Sequence, residues 1–99
     1  MTSNFRIAPR ARSDLEGIWR YSFKTWSIDQ AESYVADLNS CFEMLAANPR
    51  LGRELADVTP SVRVHTHKSH VIAYTVDGDD VRILRILATR QNWRDLLSI

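Results

Sequence analysis

The chain has 99 residues, 44% of them hydrophobic and 25% charged, and its formal net charge is +1. This length and composition fit one globular domain over residues 1–99, and they exclude a multi-domain enzyme, a solenoid and a disordered chain. A single cysteine, Cys41, excludes an internal disulfide. Because the sequence shows neither a secretory signal nor an apolar run near 20 residues, we expect a cytoplasmic protein without membrane contact.

The first half of the chain predicts a short strand and then a helix. Residues 4–8 alternate weakly between apolar and polar, and Pro9 is suited to the first turn of a helix. Gly17 weakens that helix by about 1 kcal/mol relative to alanine. The apolar residues that follow at helical spacing are Leu15, Ile18, Trp19, Phe23 and Trp26.

A second helix is predicted to begin at once after the first. Ser27 and Gln30 have the spacing of a capping box, and Asn48 before Pro49 ends the helix. Its apolar face consists of Ala31, Tyr34, Val35, Leu38, Cys41, Phe42 and Leu45. Since almost no loop separates the two helices, we expect them to form an antiparallel hairpin.

The second half of the chain predicts a β-sheet. Residues 49–60 are expected to form a loop, and residues 61–67, 70–76 and 81–89 are rich in β-branched side chains. Their short connections predict an antiparallel meander. Residues 90–99 fit a short helix or a docked tail. The predicted order is β-α-α-β-β-β, an α+β fold in which a helical hairpin packs on one face of a curved antiparallel sheet.

The helical and strand periods together predict the buried core. The residues expected to be mostly buried are Leu15, Ile18, Trp19, Val35, Leu38, Phe42, Leu45, Ile72, Tyr74, Ile83 and Ile86.

Three histidines raise the question of a metal site. His65 and His67 would share one face of a strand, and His70 follows closely. Zinc needs a third and a fourth ligand, which the sequence does not supply nearby, so we predict neither a metal nor another cofactor. Cys41 lies on the apolar helix face, where a thiol is usually inert.

Metal-free RNA cleavage would need a base, an acid and cations for the phosphate. The candidate side chains for such a nuclease are Arg63, His70, Arg85 and Arg90, with His65, His67 and Tyr74 on the same half of the chain. Whether they converge in the fold does not follow from the sequence.

Nearly the whole chain resembles the RelE/ParE superfamily of toxins from type II toxin–antitoxin pairs. Its short sequence motifs are similar to those of the ParE branch. The matching segments are Ala11-x-x-Asp14-Leu15-x-x-Ile18-x-x-Tyr21, Gln30-Ala31-x-x-Tyr34, Leu45-x-x-x-Pro49-x-x-Gly52-Arg53, Val62-Arg63, His70-Val71-Ile72-x-Tyr74, and Ile83-x-x-Ile86-Leu87 with Arg90.

This resemblance implies a toxin that is held inactive by a cognate antitoxin and that acts by binding DNA gyrase rather than by chemistry. RelE-like members are ribosome-dependent mRNA endonucleases with a set of lysines and arginines and a C-terminal aromatic or histidine. This chain has only Lys24 and Lys68, and Trp93 is its aromatic near the C-terminus. The mRNA endonuclease and an inactive, binding-only relative remain the alternatives. Direct binding of nucleic acid is not expected.

Two places are expected to contact the antitoxin or the target. The first is the outer surface of the helical hairpin at Trp19, Phe23 and Trp26, where large aromatics crowd a short stretch. The second is the sheet edge and C-terminal tail, where positive charge is densest: Arg82, Arg85, Arg90, Trp93 and Arg94. Acidic antitoxin residues would pair with these arginines.

Overall fold

A helical hairpin packed on a five-stranded sheet makes up the fold, which a computed structural model describes for residues 4–58 and 61–97. The elements are β1 (Phe5–Ile7), α1 (Pro9–Thr25), α2 (Ile28–Ala47), β2 (Arg53–Leu55), β3 (Val62–His67), β4 (His70–Asp77), β5 (Asp80–Ala88) and α3 (Trp93–Leu97). The predicted α+β class and helical hairpin are confirmed. The start of α2 is capped as expected, because the Ser27 hydroxyl accepts the Gln30 N–H at 3.0 Å.

The sheet order is β1-β5-β4-β3-β2. β3, β4 and β5 form the predicted antiparallel meander, with His67 paired to His70 at the first turn and Asp77 to Asp80 at the second. β1 lies parallel to β5 at the edge. The two helices carry the chain from β1 at one edge of the sheet to β2 at the other, and β5 comes to lie beside β1 only after the meander.

The prediction of an unbroken loop over residues 49–60 is wrong, because Arg53–Leu55 pairs with β3 as the outer strand β2. Only Leu55 of its three residues is buried. This strand is held by backbone hydrogen bonds at a sheet edge and carries no β-branched residue, so its composition gave no signal.

The main core lies between the helices and one face of the sheet. Of the side chains predicted to be mostly buried, seven are buried: Leu38, Phe42, Leu45, Ile72, Tyr74, Ile83 and Ile86. Leu15, Ile18, Trp19 and Val35 are half-buried. Phe42 also meets Phe5 of β1 edge to face, with ring centroids 5.6 Å apart.

The stripe by which α1 packs differs from the predicted one. Its buried positions are Ala11 and Ser22, with Leu15 and Ile18 half-buried between them. Trp26 and Phe23, both expected on the apolar face, are 71% and 47% exposed. Small side chains at both ends of the stripe let the helix approach its neighbours closely, and the large aromatics lie outside the contact.

A second, smaller cluster fills the opposite face of the sheet. It consists of Leu55, Val62, Val64, Val71 and Ala73, and it is covered by Val58, Leu84, Trp93 and Leu97. Of the predicted segment 90–99, Trp93–Leu97 forms a short helix docked on the back of the sheet, one of the two expected forms, and residues 98 and 99 lie outside the described residues.

Tyr74 anchors the loop after α2 to the core. Its hydroxyl donates to the Pro49 carbonyl at 2.7 Å and accepts the Gly52 N–H at 2.8 Å. A Cβ at Gly52 would lie 2.5 Å from that hydroxyl, so only glycine allows this approach. The Arg63 guanidinium donates to the Gly52 carbonyl at 2.7 Å and closes the loop from the other side.

Replacing Phe42 with alanine is expected to lower the free energy of unfolding by about 3–5 kcal/mol, because the buried ring leaves a cavity in the main core. Chemical denaturation with urea measures the change. Met44→Ala is the matched control: Met44 is on the same helix but 37% exposed, so its loss is expected to stay below about 1 kcal/mol. Equal effects of the two substitutions would contradict this placement of the core.

Candidate functional site

A groove of about 910 Å³ runs between the helical hairpin and the C-terminal end of β5. Its helical wall is formed by Asp14, Gly17, Ile18 and Tyr21 of α1 together with Trp26. Its sheet wall includes His70, Arg85, Ile86, Ala88 and Arg90. Aromatic and aliphatic surface therefore alternates with titratable side chains along one continuous depression.

Asp14 links the two walls of this groove. Its carboxylate accepts the Arg85 Nε–H at 2.8 Å and the Arg85 Nη2–H at 3.1 Å, and it also accepts the Ile86 backbone N–H at 2.9 Å. The side chains of Asp14 and Arg85 are only 16% and 17% exposed. This hydrogen bonding raises the pKa of Arg85 further.

A β-bulge interrupts β5 beside Arg85, so that Ile86 rather than Arg85 follows Ile83 on the core face. The register shifts by one residue between Ala73 and Tyr74, so that Ala73 is opposite Arg85 while Tyr74 is opposite Ile83. Leu84 is the additional residue, and it packs on the opposite face. Because β1 pairs only as far as Ile83, the Ile86 N–H lies beyond its end and is accepted by Asp14 instead.

Gln91 completes the β5 edge at its far end. Its side-chain Oε1 accepts the Ala88 N–H at 3.0 Å, and its own backbone N–H donates to the Ala88 carbonyl at 3.1 Å. The two N–H groups of β5 that face the groove, at Ile86 and Ala88, are thus both hydrogen-bonded within the chain.

Tyr34 and His70 form a pair at the groove end nearest α2. The Tyr34 hydroxyl lies 2.6 Å from Nδ1 of His70, and the two rings are 5.4 Å apart. Burial lowers the pKa of His70, and the nearby His67 and Arg90 lower it further. The lowered pKa favours the neutral imidazole, whose Nδ1 shares this hydrogen bond with the tyrosine hydroxyl.

The β3–β4 turn is held against α2 beside this pair. Lys68 adopts a positive φ of 52°, which is strained for a side-chain-bearing residue. Its ammonium lies 3.8 Å from the Asp37 carboxylate and 6.0 Å from the centre of the Tyr34 ring. These contacts with α2 help to offset the strain of the turn.

The candidate nuclease side chains are divided between two places. His70, Arg85 and Arg90 line the groove, but Arg63 lies at a separate depression beside Pro49 and Glu54. Three of the four are hydrogen-bonded within the fold: Arg63 to loop carbonyls, His70 to Tyr34 and Arg85 to Asp14.

The residues expected to contact the antitoxin are also divided. Trp26 lines the groove, whereas Trp19 and Phe23 stack on each other with ring centroids 5.3 Å apart. Arg82 is exposed on β5 next to Arg6 of β1.

The C-terminal pair belongs to another surface. Trp93 covers the second cluster, and Arg94 lies over its ring and donates to Asp57 at 3.3 Å. Neither residue lines the groove on which Arg85 and Arg90 lie.

Sequence reasoning missed Asp14, Gly17, Tyr21 and Tyr34 as groove residues. Tyr34 was assigned to the core face of α2 and Gly17 to helix weakening. One signal was available for Asp14, since it and Ile18 are one helical turn apart on the same face.

Across residues 4–58 and 61–97, no group of three or more histidine, cysteine, aspartate or glutamate side chains is arranged to hold a metal ion. That His65, His67 and His70 bind no metal stays a prediction. In the same part of the chain, the helices are too short or too polar to cross a membrane.

Comparison with known proteins identifies the family. The model of the ParE toxin of the type II toxin–antitoxin system parDE matches residues 5–93. The chain belongs to the ParE toxin family. It is 34% identical over 93 residues to toxin ParE1 of Mycobacterium tuberculosis (strain H37Rv), covering 93% of this chain and 95% of that toxin. Toxin ParE1 of Caulobacter vibrioides is 36% identical over 90 residues, which are 91% and 93% of the two chains.

The fold supports the same assignment. A chain of the chromosomal ParDE toxin–antitoxin system from P. aeruginosa superposes with a TM-score of 0.76 at 25% sequence identity, covering 90% of this chain and 98% of that one. The resemblance to the ParE branch is therefore confirmed, and this protein is a toxin of the ParDE type.

Replacing Asp14 with alanine in this ParE-family toxin is expected to lower the free energy of unfolding by about 3 kcal/mol, because Arg85 and the Ile86 N–H both lose their acceptor. Thermal and chemical unfolding measure it. Asp80→Ala is the control, since Asp80 lies 3.8 Å from Arg6 at an exposed pair and should contribute at most about 1 kcal/mol. A loss no larger than that of the control would show that Asp14 does not join the two walls.

The stability of the toxin is expected to fall with acidification through His70. Its pKa is lowered in the folded state, so below the unfolded value of about 6.5 the unfolded chain binds a proton that the folded chain does not. The stabilisation is complete above that value and decreases as the pH falls. The free energy of unfolding of wild type and His70→Gln, measured from pH 8 to pH 5, should show the steeper acid loss in the wild type; parallel curves would contradict it.

Proposed function

We propose that this ParE-family toxin inhibits DNA gyrase by binding it and is neutralised by a cognate antitoxin that occupies the groove. Family membership over residues 5–93 supports a toxin paired with an antitoxin, and gyrase is the target associated with the ParE branch. Such an action belongs in the cytoplasm. It requires complementary surface rather than a catalytic centre, so no cofactor is needed.

The observation that carries action by binding is the internal pairing of the candidate nuclease side chains. A phosphate in a cleavage reaction needs cations that are free to stabilise its developing charge. The Arg85 guanidinium instead donates twice to Asp14, and Arg63 donates to the carbonyls of Arg50 and Gly52. A neutral, hydrogen-bonded His70 is likewise occupied.

The alternative, a ribosome-dependent mRNA endonuclease, is favoured by one feature only. Arg90 is exposed at the groove beside His70, so one cation and one imidazole do lie together. Trp93, the aromatic near the C-terminus, packs on the back of the sheet and has no acidic or basic group to offer.

The antitoxin contact is proposed within the groove, with Trp26 and Arg90 as its contacts on the two walls. Trp26 supplies apolar surface, and Arg90 supplies positive charge on the opposite wall. Trp93 and Arg94 lie on another face, so a segment that also reached them would have to wrap around the C-terminal end of β5.

Purified toxin is expected to inhibit the ATP-dependent supercoiling of plasmid DNA by purified gyrase. An equimolar amount of antitoxin should restore supercoiling, because it covers the surface that gyrase would contact. Arg90→Ala tests the alternative in the same protein, since this exposed residue can be changed without breaking a described hydrogen bond. Unimpaired supercoiling together with cuts in ribosome-bound mRNA, lost in Arg90→Ala, would contradict the proposal and establish the endonuclease.

A further inference from the structure

Gly17 occupies the middle of α1 and lines the groove. Glycine is the least favourable residue of a helix interior apart from proline, because it loses the most backbone freedom on folding. A glycine at this position lowers the stability of the toxin unless something requires it.

The rest of the described chain does not require it. A Cβ built on Gly17 meets no atom within 4 Å once the backbone of its own helix is left aside. Its φ is not positive, since Gly78 is the glycine of the described residues with that conformation. Gly52 makes the contrast, because there a Cβ would collide with Tyr74. The missing side chain at Gly17 therefore leaves open space in the groove wall.

Apolar side chains lie next to that space on the same wall of the groove. Tyr21, one turn further along α1, is 58% exposed, and it lines the groove with Ile18. Trp26 lies about 13 Å further along the wall, given the rise of an α-helix, and is 71% exposed. We call the open space at Gly17 beside Ile18 and Tyr21 the notch; an apolar side chain seated there would lie against Tyr21.

The charge of the groove indicates the character of its occupant. Asp14 and Arg85 neutralise each other, and burial keeps His70 neutral. Arg90 remains as the cation of the sheet wall. A partner with carboxylates next to its apolar side chain is therefore complementary to this groove.

The sheet wall excludes one way of docking. The N–H groups of Ile86 and Ala88 that face the groove are already accepted by Asp14 and Gln91. A partner would gain nothing from them by adding as a strand unless it displaced both side chains. Docking through side chains on the helical wall is favoured.

We propose that Gly17 is a specificity-determining contact for the cognate antitoxin, whose large apolar side chain is seated in the notch with neighbouring carboxylates toward Arg90. This inference rests on the proposed antitoxin partner. Gly17 destabilises the helix, and a role in recognition would explain why a glycine is nevertheless present at this position.

The test uses two substitutions, each of which should raise the stability of the free toxin and weaken its binding to the antitoxin. In Gly17→Ala and Gly17→Leu the helix gains a better former, so the melting temperature of the free toxin is expected to rise by about 4 °C or more. The antitoxin encoded beside the toxin gene, purified and titrated into each variant, is expected to bind with a Kd at least tenfold higher for Ala and higher again for Leu. Glu16→Ala, at the neighbouring exposed position outside the groove, should leave the Kd within twofold.

The outcomes separate this inference from the proposed function. An antitoxin that binds wild type but also binds Gly17→Leu within twofold overturns the inference and leaves the antitoxin partner in place. An antitoxin that fails to bind wild type overturns both. A melting temperature that falls in Gly17→Ala would show an internal role for the glycine and overturn the inference. So would a wild-type dimer that Gly17→Leu disperses while antitoxin affinity is unchanged.

Discussion

The Asp14 carboxylate is the point at which the helical hairpin is tied to the sheet. It accepts two hydrogen bonds from Arg85 and one from the Ile86 backbone, and all three partners lie more than 70 residues away in sequence. β1 ends at Ile83, so without this carboxylate the Ile86 N–H would be unsatisfied at a half-buried edge. These hydrogen bonds hold α1 against β5 at this point.

The groove lies along this junction of α1 and β5, and its helical wall is shaped by the side chains by which α1 packs. Ala11 and Ser22 bring the helix close to its neighbours, while Tyr21 and Trp26 are left on the outside. A domain of this size buries only part of its apolar surface, so several large side chains must remain exposed. Two of them, Tyr21 and Trp26, lie on the helical wall of the groove, where exposed apolar surface is available for recognition.

Periodicity predicted the elements well because it reports burial of whole faces. Leu38 and Phe42 fall on the α2 stripe and are fully buried, as the helical spacing requires. The same reasoning failed for Trp26, since hydrophobicity does not tell which of two adjacent stripes packs. The β-bulge at Leu84 was beyond reach too, because a one-residue register shift leaves the composition of a strand unchanged. The bond of Arg85 to Asp14 could not be derived either, because it joins residues 71 positions apart in the sequence.

Pairing Arg85 with Asp14 has opposite consequences for stability and for catalysis. A guanidinium that donates to a carboxylate fixes the sheet to the helix, but it then has little positive potential left for a phosphate. A nuclease would need that cation unpaired, and its burial at 17% exposure would then be costly. Arg85 therefore joins helix and sheet, and the apolar wall of the groove together with the exposed Arg90 is the part available to a partner. Recognition by shape and apolar contact, with Arg90 contributing register and association rate, is the activity that this arrangement supports.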